Sequence, residues 1–152
     1  RRKVTVSTPP RLDAGQARAA RPGTGRDRHM QTVYFTATSL DGFIATEEDS
    51  LDWLFPLGNV DETGYPDFIP KVGPLAMGSS TYQWMLRHAQ TVASGTGAAW
   101  PYTQPTWVFS SRTLPAIPGA NLHFARGDVR PVHAAMQAAA GNRNVWIVGG
   151  PS

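Results

Sequence analysis

Four short apolar runs in this chain stop on small residues. Thr32–Thr38 stops on Ser39, Pro74–Met77 on Gly78-Ser79-Ser80-Thr81, Thr106–Phe109 on Ser110-Ser111, and Val145–Val148 on Gly149-Gly150. Runs of this length, rich in β-branched and aromatic residues and closed by turn formers, are strands. Asn121–Ala125 is a weaker fifth. Helical faces lie between them. Tyr82, Met85, Leu86 and Ala89 recur at i, i+3, i+4 and i+7, with Ser79 or Ser80 as the N-cap. Val132, Ala135, Met136 and Ala139 do so after Asp128, which fits an N-cap, and before Gly141, which fits a C-terminal stop. Tyr65–Val72 is a short helix at best, broken by Pro66 and Pro70. Leu51–Leu57 is a loop or a short turn of helix, punctuated by Pro56 and Gly58, and residues 91–104 are loop. Strands alternating with helices predict an α/β sheet with parallel pairs. Ligands of such sheets sit beyond the carboxyl ends of the strands. Here those ends are small and hydroxylated, a floor on which a flat, phosphorylated ligand can reach the backbone.

Charge divides the chain in two. Residues 1–29 carry eight Lys/Arg against Asp13 and Asp27, a net of +6, and show no sustained periodicity. They read as a disordered basic extension, ahead of a domain over residues 30–152. That domain has a net of −3, so the pI near 9.7 belongs to the extension. A mildly acidic body does not suit a grip on phosphate backbones. Nucleic-acid binding through residues 1–29 is therefore only a rival reading. With 152 residues and 41% of them apolar, one packed domain is expected. No apolar window approaches the ~20 residues of a membrane span. Cysteine is absent, which removes thiolate chemistry and disulfides. The expectation is a soluble, cytoplasmic protein without a membrane partner.

Three stretches carry candidate chemistry. Gly78-Ser79-Ser80-Thr81 joins a strand to a helix N-terminus, where free N–H groups and the helix dipole attract an anion. Ser110-Ser111-Arg112 adds hydroxyls and a guanidinium suited to a second phosphate. Gly149-Gly150 lets another molecule come close to the main chain. It lacks the third glycine of a dinucleotide fingerprint. His29, His88, His123 and His133 have no metal-ligand spacing, so no metal is expected. Trp84, Trp100, Trp107 and Trp146 read as core.

In order, "ATSLDGFIA" (residues 37–45), Asp52-Trp53-Leu54, "PLAMGSSTYQWM" (74–85), "WVFSSRTLP" (107–115) and "VWIVGGPS" (145–152) resemble the dihydrofolate reductase-like superfamily. The branch they are most similar to contains the C-terminal reductase domain of the bifunctional riboflavin-biosynthesis deaminase–reductase. The resemblance runs from Met30 to Ser152 and implies a three-layer α/β/α fold around a mixed sheet. It also implies an oxidoreductase: hydride transfer from NADPH to a small heterocyclic or ribosylamino-pyrimidine substrate, as in the 5-amino-6-(5-phosphoribosylamino)uracil reductase step. A homodimer is the assembly expected with it. Carried over residue by residue, Ala37 and Ile44 flank the nicotinamide. Gly78, Ser79, Ser80 and Thr81 hold the pyrophosphate and 2′-phosphate region, and Ser110, Ser111 and Arg112 hold the adenosine side. Gly149 and Gly150 pass close under the cofactor, while Asp41 and Trp53 line the substrate side. Ser79 stands where the family usually has Arg, which leaves Arg112 to meet the 2′-phosphate. The pterin-holding carboxylate of dihydrofolate reductases falls on Gly58 when counted from Trp53 and on Glu62 when counted from Met77. The family continues past the glycines with a helix and further strands, so the chain reads as ending early. The competing reading within this fold is a nucleotide-binding module without turnover.

Overall fold

The structure is a computed structural model that describes residues 5–6, 30–89 and 99–150. Seven strands occur in these residues: β1 (Thr5–Val6), β2 (Thr32–Tyr34), β3 (Ala37–Thr38), β4 (Val72–Gly78), β5 (Thr106–Phe109), β6 (Leu122–Ala125) and β7 (Asn144–Val148). Three α-helices accompany them: α1 (Tyr65–Phe68), α2 (Ser79–Arg87) and α3 (Val129–Ala140). Five strands form one sheet in the order β2-β7-β4-β5-β6, and every pair in it is parallel. The α/β class thus holds. The sheet was expected to be mixed, but among the described residues the one antiparallel pairing lies outside it, in the separate two-stranded β1–β3 ribbon. The reason is connectivity: α2 carries the chain from β4 to β5 and α3 from β6 to β7, and helical crossovers return strands in the same direction. Of the basic extension, only Thr5–Val6 falls among these residues; the rest of it, and residues 90–98, most of the stretch that the sequence pattern assigns to a loop, lie outside them.

Alternation along β4 assigns the two faces. Met77 packs with Val108, Tyr82, Met85 and Trp100 under α2. Its neighbour Ala76 packs with Val145, Met136 and Ala140 under α3. Helices on both faces make the three layers. A third cluster, Val72, Leu75 and Trp146, lies against Phe35, Tyr65 and Phe68. In it the Trp146 indole N–H donates to the Phe35 carbonyl at 2.9 Å. Burial raises the pKa of both Tyr65 and Tyr102. The two phenols therefore stay neutral at ordinary pH and act as packing groups. Trp100 and Trp146 are core, as their sequence context predicted.

Several elements differ in extent from the sequence pattern. Thr32–Thr38 is two strands, β2 and β3, and Thr32 and Tyr34 are exposed because β2 is an edge of the sheet. β4 starts two residues earlier than expected. Pro74, which has no N–H for a ladder, is accommodated by a register shift between Val72 and Leu75. The N-cap of α2 is Gly78 rather than a serine, and no side chain caps this helix. On α3 the inner stripe is Val132, His133, Met136 and Ala140, whereas Ala135 and Ala139 are exposed.

Candidate functional site

Strands β7, β4 and β5 are neighbours and end together. Met77 is in register with Val148, and Gly78 with Phe109. Gly149, Ser79 and Ser110 therefore leave three adjacent strand tips side by side on one edge of the sheet. This brings together most of the residues that the sequence singled out.

At the β4 tip, Gly78 has φ −81° and ψ 169°, an ordinary extended conformation, and a Cβ built on it meets nothing within 4 Å. The position is exposed and opens in front of α2. The first turn of α2 contains no acidic residue and receives no side-chain cap, so its leading N–H groups and positive dipole end are left for another acceptor. Ser79 and Ser80 add hydroxyls there.

At the β5 tip, the Ser110 hydroxyl accepts from the Arg112 N–H at 3.0 Å and donates to the Arg112 carbonyl at 2.8 Å. The Ser110 side chain is thus committed to closing its own turn, while Ser111 and Arg112 are exposed. The Arg126 guanidinium, just past the neighbouring β6, donates to the Ser111 carbonyl.

At the β7 tip, the chain's own side chains fill the space. A Cβ on Gly149, whose φ is +84°, would collide with the Thr81 hydroxyl, and one on Gly150 would collide with Ile44 and lie 2.7 Å from the Tyr34 hydroxyl. At Gly149 the left-handed φ and the Thr81 contact call for glycine and seat the first turn of α2 on β7, whereas at Gly150 a Cβ would have to push aside the tips of the Ile44 and Tyr34 side chains. A bulkier side chain at Gly149 would therefore disturb the fold and would not by itself report on a bound molecule. The open approach lies at Gly78.

Ala37 is half-buried in β3, opposite Val6. Asp41 belongs to a tight turn in which the Gly42 N–H donates to the Ser39 carbonyl at 3.0 Å and Gly42 takes φ +89°. Trp53 is half-buried just ahead of the 3-10 turn Phe55–Leu57, and Glu62 ends the exposed 3-10 turn Val60–Glu62. Among the described residues, no hydrogen bond or ring stacking joins Trp53 to the strand tips. Beside Gly78, under the N-terminal end of α3, lies an apolar hollow of about 230 Å³ lined by Phe109, Val129 and Ile147. His133 also lines it, with its Nε2 3.2 Å from the Thr32 hydroxyl. Two residues escaped the sequence reading, Tyr34 and Arg126. Arg126 was findable: it is the first residue past the weaker fifth strand, the same kind of position that drew attention to Ser110.

No group of three or more His, Asp or Glu side chains forms a metal centre among the described residues. No helix among them is long and apolar enough to cross a membrane.

No protein-family model matches the chain. Among curated proteins it is similar to "Uncharacterized protein YwjB" of Bacillus subtilis (strain 168), with 30% identity over 120 residues. That match covers 79% of this chain and 64% of the relative. Among solved structures it is similar to a "Putative riboflavin biosynthesis protein" from Shewanella sp. PV-4, with a TM-score of 0.52 and 25% identity. Here 80% of this chain and 63% of the other are covered. The chain thus spans less than two thirds of the length of either protein, and what it shares with the solved one is this α/β architecture.

Proposed function

We propose that the chain is the cofactor-binding body of a reductase related to riboflavin biosynthesis, which takes NADPH along the tips of β7, β4 and β5. Its substrate is a small heterocycle of the ribosylamino-pyrimidine kind. One observation carries the reading: an uncapped helix N-terminus, an open Gly78 and an exposed Ser111-Arg112 pair stand on neighbouring parallel strands. The resemblance of the five ordered motifs and the fold shared with a riboflavin-biosynthesis protein support it.

The chemistry that NADPH supplies when bound is the hydride. This chain's residues supply position and field. The α2 N–H groups with Ser79 and Ser80 hold the pyrophosphate. Ser111 and Arg112 hold the adenosine end, Arg112 as a planar fork. Ile44, close to Gly150, and Ala37 would flank the nicotinamide end, and Asp41 and Trp53 would line the substrate side. No side chain is assigned as a general acid. Thr81, Ile44 and Tyr34 crowd Gly149 and Gly150, which supports an approach at the open Gly78 rather than over the two glycines.

The test is Gly78→Val. Its backbone angles suit a β-branched residue and its Cβ enters open space, so the melting temperature should stay within a few degrees of the parent's. NADPH affinity should fall at least tenfold, because the side chain stands before the α2 N–H groups. Unchanged affinity would refute this placement of the cofactor. Measuring binding and oxidation separately also bears on the rival module: binding with no oxidation of NADPH across pyrimidine and pterin substrates favours a body that holds the nucleotide without turnover.

A further inference from the structure

We infer that β1 is an autoinhibitory strap: by pairing with β3 it occupies main-chain groups at the nicotinamide end of the site, and an incoming dinucleotide must displace it. This rests on the cofactor reading above and gives a part to the basic extension, which that reading leaves unused. β1 lies antiparallel to β3, with Thr5 opposite Thr38 and Val6 opposite Ala37. The two form a ribbon apart from the five-stranded sheet. Ala37 is the residue that the cofactor reading sets beside the nicotinamide. The turn after β3 fixes where the contact falls. The Ser39 N–H donates to the Phe43 carbonyl at 2.8 Å, and the Ser39 hydroxyl accepts from the Phe43 N–H at 3.0 Å. Ala37–Thr38 and Ile44 are thus the two arms of one bend.

The Ile44 arm reaches the β7 tip, where its side chain crowds the Cβ position of Gly150. β1 runs along the other arm. A strand paired with Ala37 and Thr38 uses N–H and C=O groups of that arm, and a ligand can meet those groups only once the strand has left. The pairing is also weak enough to yield. It joins two residues to two residues, and a two-stranded ribbon has little stability of its own. Charge adds to the hold. Residues 1–29 carry a net of +6 and residues 30–152 a net of −3, an attraction that salt screens. A contact of this strength lowers the fraction of molecules open to the dinucleotide without closing the site to it.

Titration calorimetry of the full chain tests this with two probes, NADPH and 2′,5′-ADP, the adenosine half alone. One variant combines Thr5→Pro with Val6→Pro, which removes both main-chain N–H groups of β1. The other combines Thr5→Ala with Val6→Ala, which keeps them. Thermal melts confirm that each variant is folded. The proline pair should bind NADPH about threefold more tightly than the parent or better, the gain expected when roughly two thirds of the parent molecules hold the strap. Its affinity for 2′,5′-ADP should equal the parent's, and the alanine pair should match the parent on both probes. Equal NADPH affinity in the proline pair and the parent overturns the strap and leaves the cofactor reading standing. Weaker binding by the proline pair overturns it as well, since β1 would then complete the site. A gain of equal size on both probes, or the same gain in the alanine pair, shows that the hold is not main-chain pairing at the nicotinamide end. If the parent and both variants bind neither probe, the cofactor reading falls and the strap with it.

Discussion

At Gly149 two constraints coincide. The backbone sits at φ +84°, where an L side chain is strained, and the Cβ position is already taken by Thr81. Gly149→Ala should cost about 2–4 kcal/mol in urea unfolding, combining ~1–2 of backbone strain with overpacking against Thr81. Adding Thr81→Ala to that background should recover the steric part and leave the strain. Equal stability of Gly149→Ala and the parent would show that the Thr81 contact is not as tight as the structure has it. The double glycine was legible in the sequence as a place where something comes close to the main chain, and it was assigned to a bound molecule. What occupies the space was not legible, because Thr81, Ile44 and Tyr34 reach it from distant segments, and local pattern carries no information about such neighbours.

Among the elements, α3 shows which signals survive folding. Its cap was readable: Asp128 accepts from the Arg130 N–H at 3.0 Å, a local bond between neighbours in sequence. Its buried face was only half readable. Val132 and Met136 are turned inward, but the stripe continues through Ala140 rather than Ala135 and Ala139, because a single helix laid on a sheet buries a narrow strip. Alanine fits either side, so hydrophobicity does not choose. The α2 cap was misplaced for a related reason. Ser79 and Ser80 have the right chemistry, but β4 runs unbroken to Gly78, and the helix begins directly after it. The Asp128 cap also has a pH signature. Its side-chain and backbone bonds to Arg130 hold the carboxyl below its ordinary pKa. The cap's contribution is therefore present above the unfolded value of about 4 and fades as pH falls through the lowered folded value. Asp128→Ala should melt below the parent at pH 7, and the gap should narrow steadily under about pH 4. A gap that stays constant down to pH 2 would mean that the carboxylate charge plays no part.

For the whole molecule, the alternation of strands and helices predicted the class and the parallel pairing, since a crossover helix leaves few other solutions. The strand order β2-β7-β4-β5-β6 could not be read, because it depends on which distant strands meet. That order is what matters for function. By placing β4 between β7 and β5, it gathers Gly78, Ser110 and Gly149, which are scattered along the chain, onto one edge. The acidic balance of residues 30–152 then leaves Arg112 and Arg126 as local positive features at that edge. The most direct measurement is titration of NADP+ into the 15N-labelled chain, followed by backbone amide shifts. The account predicts saturable shifts at Gly78, Ser79, Ser80, Ser111 and Arg112, with the N-terminal ends of β4 and β7 unmoved. Saturable shifts confined to other surfaces, or none at millimolar NADP+, would contradict it.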